Sequence, residues 1–386
     1  MRRSPSSPSL AVASEPGPTR SDAARRWAGA VALAGGIENP GRGQPSPAAY
    51  RLGELVVELF SEDESVLRSL AQLYAECRVP PASTSGHRRL RCFVRPVPEA
   101  GLVSATFELP VDLDLVEVVL AVLQTRQDAY YVAQDLAGTG WRQVTSVARP
   151  AVPLLAVNGR HVLFDAAKLW PAFMRDLLVG TALTSQKEIL FFHAASVAVG
   201  GRGVLFVGRG GTGKTTLALA LAARGHGLLG DDYASLRPGD LALLPFRRNV
   251  HIRPGPRAQG VEEALRGGRY EIEVFTDGQK RLNATVRDLF PEALAPRVPL
   301  AAAFFLRRFG PEPGITPVRP SLEHLELLKP LASSGPIRAS WGISPGRRLL
   351  GFLRVIDILS KVHCYSLDVG RPDETAVRVE RALEDV

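Results

Sequence analysis

The stretch Gly208-Arg209-Gly210-Gly211-Thr212-Gly213-Lys214-Thr215 fits the pattern G-x-x-x-x-G-K-[ST] without a gap. It constrains the fold because it works only in one setting. An apolar strand must feed the loop and a helix must leave it, so that backbone N–H groups converge on one point. Both flanks are legible. "GVLFV" precedes the loop, and the segment from Lys214 to Arg224 reads as a helix. The glycines permit the curvature and the close approach of phosphate oxygens. Lys214 reaches the β and γ phosphates as a compact cation, and the Thr215 hydroxyl ligates Mg²⁺. The positive end of the helix dipole adds to the field. The candidate nucleotide-binding residues are Gly208, Arg209, Gly210, Gly211, Thr212, Gly213, Lys214, Thr215 and Thr216. ATP and Mg²⁺ are the implied cofactors.

A second feature lies downstream. In "RGHGLLGDDYASL" two carboxylates, Asp231 and Asp232, end a short apolar run. Asp232 follows Lys214 by 18 positions (232 − 214). The intervening helix and turn return the chain, so "GLLG" can lie as a strand beside the loop. Phosphoryl transfer to a hydroxyl needs one carboxylate near Mg²⁺ and one base near the acceptor. Adjacent residues on an extended chain face opposite ways. Asp231 and Asp232 are candidates to divide those two jobs, one carboxylate for the metal and the other for the acceptor's proton. His193, on a strand with Phe191 and Ala195 on its face, is a candidate partner of the phosphates, with a satisfied core histidine as the alternative. Arg247, Arg248 and Arg253 in "PFRRNVHIRP" are candidates for holding transition-state charge or an acidic acceptor.

The rest of the chain organises around this centre. Residues 1–48 are rich in Pro, Ser, Gly and Arg, with little to bury, and read as a disordered tail. Residues 49–164 read as an α+β domain with no chemical motif of its own. "LGELVVELF" reads as one strand, and Ser61 with Glu64 as a capping box opening a helix that buries Val66, Leu67, Leu70, Leu73 and Tyr74. Residues 165–386 form the nucleotide-binding domain. In it Asp165 is placed as the cap of a helix running on through "MRDLLVGTAL", and "GGRG" as the turn of a hairpin between two apolar runs. "PLAAAFFLRRF" and "HCYSLDV" read as strands, "SLEHLELLKPLA" and "GRRLLGFLRVIDILSKV" as helices.

Composition narrows the partners. The net charge of +8 comes mostly from arginine, but there is no basic helix with interleaved aromatics and no zinc-finger spacing, so nucleic acid is not expected. No apolar run is long enough to span a bilayer, so no membrane is expected. The three cysteines, Cys77, Cys92 and Cys364, form no CxxC pair, which fits a reducing cytoplasm.

The segment from His193 to Asp232 resembles the catalytic domain of bacterial HPr kinase/phosphorylase. In that family a histidine precedes the P-loop at the spacing of His193 and Lys214. An "RGH" follows the P-loop helix, as at Arg224-Gly225-His226, and an Asp-Asp ends the next strand. "GGTGKTTL" and "GDD" also look like phosphoenolpyruvate carboxykinase, which shares the nucleotide-binding fold. The resemblance implies an α/β fold class: an HPr kinase / phosphoenolpyruvate carboxykinase-like P-loop domain with a mixed sheet, behind an α+β N-terminal region. It implies an ATP-dependent kinase acting on a hydroxyl, with Asp232 as base and Thr215 on Mg²⁺, which leaves Asp231 as the carboxylate that positions the metal with Thr215. The acceptor implied is a serine of a peptide or small protein. A small metabolite on the same fold, or a non-catalytic ATP-binding accessory protein, are the alternatives. HPr kinases form hexamers, so a homo-oligomer is also implied. The family's "LEIRGLG"-type stretch has no match after Asp232; "YEIEVF" is its nearest echo.

Overall fold

The computed structural model describes residues 46–80, 87–97, 101–126, 131–165, 171–253, 271–274, 280–328 and 345–384, together with Trp27, Gly29 and Val31. The N-terminal half is one sheet of nine strands: β1 (Ala48–Leu52), β2 (Leu55–Phe60), β3 (Arg78–Val79), β4 (Arg88–Val97), β5 (Leu102–Glu108), β6 (Tyr131–Leu136), β7 (Trp141–Ser146), β8 (Arg149–Val157) and β9 (His161–Phe164). Their order across the sheet is β3-β1-β2-β4-β5-β9-β8-β7-β6. Helices α1 (Glu64–Tyr74), α2 (Leu115–Arg126) and α3 (Ala172–Thr184) contribute to the core on one face. Trp27 and Val31 are helical and buried with Val97, Trp141 and Leu163 in a separate cluster. These two positions depart from the tail expected over 1–48, because their apolar side chains find a sheet surface to cover.

Three local expectations change. "LGELVVELF" is not one strand: the chain reverses at Gly53-Glu54, and β1 pairs antiparallel with β2. Gln186 holds that turn, accepting from Glu54 N at 2.9 Å and donating to Leu52 O at 2.9 Å. The cap of α1 is Asp63, whose Oδ1 accepts from Ser65 N at 2.7 Å; Ser61 accepts from Asp63 N instead. The carboxylate sits next to the helix start and wins the position. Helix α3, assigned from sequence to the C-terminal domain, buries Phe173, Met174 and Leu177 in the N-terminal core. The residues between Asp165 and Pro171 lie outside the described residues, so the Asp165 cap does too.

The C-terminal half is a mixed sheet between two helical layers. Its strands are β10 (Leu190–Phe192), β11 (Ala194–Val199), β12 (Arg202–Val207), β13 (Gly227–Gly230), β14 (Ala234–Arg237), β15 (Ala242–Leu244), β19 (Val298–Phe309), β20 (Gly314–Pro317) and β21 (His363–Val369). A separate three-stranded sheet holds β16 (Val250–Ile252), β17 (Glu271–Val274) and β18 (Lys280–Ala284). The long β19 shows why the sequence folds this way: Phe304 and Phe305 point to opposite faces, as the strand period demands. Phe304 packs with Leu217 and Leu221 of α4 (Lys214–Ala223) and Val379 and Leu383 of the C-terminal helix Pro372–Glu384. Phe305 packs on the other side with Leu325, Val355 and Ile358, from helices Leu322–Leu327 and Pro345–Ser360. Central strand β12 lies parallel to β19 and antiparallel to β11, and β19 parallel to β21. Among the described residues, no helix is long and apolar enough to cross a membrane.

Candidate active site

Strand directions bring the site together. β12 runs up to the glycine-rich loop. β11 is antiparallel to β12 and β13 antiparallel to β11, so β13 runs the same way as β12 and ends at the same edge. Ala194 pairs with Val207, which sets His193 opposite Gly208. Ser196 pairs with Gly230, which brings Asp231 to the same edge. "GLLG" is thus a strand one place removed from the loop strand, with β11 between them. His193 is not within a strand. It sits at the bend where the chain leaves β10, which pairs with β14, and enters β11, which pairs with β12 and β13. The alternation with Phe191 and Ala195 therefore breaks at His193, and its ring is half-buried at the sheet edge.

Helix α4 opens at Gly213, whose φ of +92° suits glycine and whose side offers no capping side chain to the first-turn N–H groups. A Cβ there would also lie 3.1 Å from the Phe309 ring. Lys214 is 6% exposed, and its ammonium donates to Gly208 O at 2.8 Å and Arg209 O at 3.1 Å. Thr212 folds back on the loop, donating from its hydroxyl to Arg209 O at 2.8 Å. Arg209, Gly210 and Gly211 are exposed, and Thr215 and Thr216 half-buried.

The two aspartates occupy different surroundings. Asp231 is 5% exposed, while the Asp232 side chain is 39% exposed. Burial first, then the neighbouring Asp232, push the Asp231 carboxyl upward; Arg248 and backbone amides oppose this. Asp232 accepts from Arg248 Nη1 at 3.0 Å. Burial first, then the Lys214 charge, lower the pKa of His193, and the Asp232 charge opposes the shift. Burial also lowers the Lys214 pKa, and the charges of Asp232 and Asp231 oppose it. His193, Lys214, Asp231, Asp232 and Arg248 thus form one electrostatic cluster.

Among the described residues no group of three or more His, Cys, Asp or Glu could hold a metal by itself. Thr215 and Asp231 supply a hydroxyl and a carboxylate, the oxygen donors that Mg²⁺ takes beside a nucleotide, so these residues would suit that ion. A cation there would oppose the burial that raises the Asp231 carboxyl.

The three arginines separate. Arg247 donates from Nη1 to Leu228 O at 3.1 Å and Ala295 O at 2.9 Å, so it ties backbone together and is not turned to the cluster. Arg253 is exposed. Arg248 joins the cluster through Asp232. Its guanidinium carbon lies 5.3 Å from the Tyr74 ring centroid and 5.2 Å from that of Tyr233. Neither tyrosine was a sequence candidate, although Tyr233 directly follows the Asp pair. "RGH" lies at the far end of α4, about 15 Å along the axis from Lys214 by helix rise. Arg224 makes two bonds to Glu380, at 2.6 and 2.7 Å, and His226 meets the same carboxylate at 2.8 Å. That signature fastens the P-loop helix to the C-terminal helix.

No protein-family model matches the chain. It is similar to HPr kinase/phosphorylase of Chlorobium phaeobacteroides, with 45% identity over 90 residues, 23% of this chain and 28% of the relative. It is also similar to HPr kinase/phosphorylase of Chlorobium chlorochromatii, with 48% identity over 59 residues, 15% of this chain and 18% of the relative. The chain thus spans less than a third of the curated relatives it matches. Among solved structures it is similar to the HPr(Ser) kinase/phosphatase of Coxiella burnetii, at 16% identity and a TM-score of 0.25. That match covers 51% of this chain and 99% of the other.

Proposed function

We propose that the chain is a Mg²⁺- and ATP-dependent kinase of HPr-kinase type that phosphorylates a hydroxyl, a serine of a peptide or small protein. The observation that carries this reading is the meeting of Lys214, His193 and the Asp pair at one sheet edge. The loop amides and Lys214 hold the triphosphate. Thr215 and Asp231 would hold Mg²⁺, which would supply charge neutralisation on the phosphoryl oxygens. Asp232 takes the proton of the acceptor hydroxyl as its oxygen bonds to the γ-phosphorus; the bond to the β,γ-bridging oxygen breaks and ADP leaves. His193, beside the loop at the same sheet edge, orients or stabilises the phosphoryl group.

The test is incubation with γ-labelled ATP, Mg²⁺ and a panel of serine peptides, small proteins including HPr, and metabolites. Labelled phosphoserine is expected from one of the first two classes. Label in a metabolite alone would move the acceptor to small molecules. Nucleotide binding with neither transfer nor hydrolysis would overturn the kinase reading in favour of an accessory protein.

A further inference from the structure

The N-terminal half carries no motif, yet one of its side chains reaches the cluster. Tyr74, the last residue of α1, is 3% exposed and stacks against Phe246 at 6.4 Å between centroids. Its ring forms one wall around the Arg248 guanidinium, and Tyr233 forms the other. The chain on both sides of Arg248 is fastened to the same end of α1. Cys77 donates from Sγ to Arg247 O at 2.9 Å, and Asn249 N donates to Leu73 O at 2.9 Å. Asn249 Oδ1 accepts from Ala75 N at 3.1 Å, and its amide donates to Asn283 Oδ1 at 3.1 Å. Asn283 in turn donates to Gln72 O at 2.9 Å.

We infer that the N-terminal half is a working part of the phosphoryl-transfer site, because Tyr74 holds Arg248 and Arg248 fixes the Asp232 carboxylate. The inference rests on the reading of Asp232 as the base. A guanidinium between two ring faces gains cation–π attraction and loses rotational freedom. Its fork then points one N–H at Asp232 Oδ2 and leaves Oδ1 for the acceptor proton. The Arg248 side chain is 13% exposed and its Nε is buried without a partner. Burying a charged group this way is costly, and an apolar residue would fill the same space without that cost. The cost is consistent with a task for the charge. Arg248 and Tyr74 are positioning residues: each acts through Asp232.

The experiment measures MgATP hydrolysis with water as acceptor, alongside affinity for a fluorescent ATP analogue as a check of fold and binding. Tyr74→Leu is expected to lower kcat about tenfold and Arg248→Gln about a hundredfold, each with KM for MgATP changed less than about twofold. Tyr74→Phe keeps the ring and should recover most of the loss. Arg248→Lys leaves the aromatic core untouched and should fall between wild type and Arg248→Gln. A folded Tyr74→Leu with wild-type kcat, or with a raised KM and unchanged kcat, overturns the inference. Should the wild type neither hydrolyse ATP nor transfer phosphate to any acceptor, the kinase reading fails and arginine side-chain NMR decides the remainder; should it transfer without hydrolysing, the same variants are compared in the transfer reaction. Slow guanidinium rotation at Arg248, released by Tyr74→Leu and by Asp232→Asn, supports the inference. Free rotation in the wild type overturns it.

Discussion

Lys214 donates its ammonium to the carbonyl of Gly208, six positions earlier, at 2.8 Å. The charge that would meet the β and γ phosphates is held by the loop it belongs to. Nucleotide binding then exchanges neutral carbonyl partners for anionic ones, a gain that charge-assisted bonds make favourable. Lys214→Met should lower affinity for a fluorescent ATP analogue by about a hundredfold, using roughly 3 kcal/mol for a lost charged contact. Equilibrium titration checks this; unchanged affinity would remove the loop from nucleotide binding.

Asp232→Asn keeps size and shape but cannot take a proton. Nucleotide affinity should stay within a few-fold of wild type, while transfer to the acceptor falls by about 10²–10⁴, the range of a general base. Single-turnover kinetics with labelled ATP separate the two effects. Retained transfer would take the base role away from Asp232.

Gly230 directly precedes the Asp pair, and a Cβ there would lie 2.3 Å from Tyr233 O and 2.9 Å from Phe246 O. Both are backbone atoms that cannot swing aside. Gly230→Ala should therefore cost about 1–3 kcal/mol, as overpacking does. It should also disturb the turn that presents Asp231 and Asp232. Denaturant melts give the first effect and ATP turnover per folded molecule the second.

Arg224 and His226 meet one carboxylate, Glu380, whose pKa the Arg224 bonds hold below the ordinary carboxyl range. A depressed folded-state pKa adds stability that is complete above the unfolded value and lost as pH falls through the folded one. Glu380→Gln should cost about 1 kcal/mol at pH 7, since the pair is partly exposed. The gap between variant and wild type should close as pH falls below the ordinary carboxyl range. Melting curves across that interval check the sign.

Local pattern made much of this architecture legible. "HCYSLDV" is strand β21 over its whole length, and the loop, its flanking strand and α4 stand where G-x-x-x-x-G-K-[ST] puts them. The Asp pair was legible because spacing from Lys214 is a local quantity. The break at His193 was not: alternation continues through it, and the change of strand partner depends on pairings with β12, β13 and β14 that lie elsewhere in the chain. Arg248 looked no different from Arg247 beside it, because adjacent residues in "FRRN" diverge only when a fold gives each a neighbour. Tyr74 read as one more apolar contact on a helix face. Its second surface, against Arg248, belongs to tertiary structure alone.

The aromatic junction has a consequence for how the chain can be divided. Phe246, Leu244 and Phe191 come from the C-terminal half, yet they lie in the same apolar cluster as Tyr50, Leu70 and Phe173. A fragment starting at residue 165 would carry every motif and still leave Phe191 and Phe246 facing water where α1 had been. Cutting there divides one folding unit, so two cooperative melts are not expected from the intact chain. Insertions or fusions should be better borne on the exposed strands at the far edge of the N-terminal sheet than at the seam suggested by the motifs.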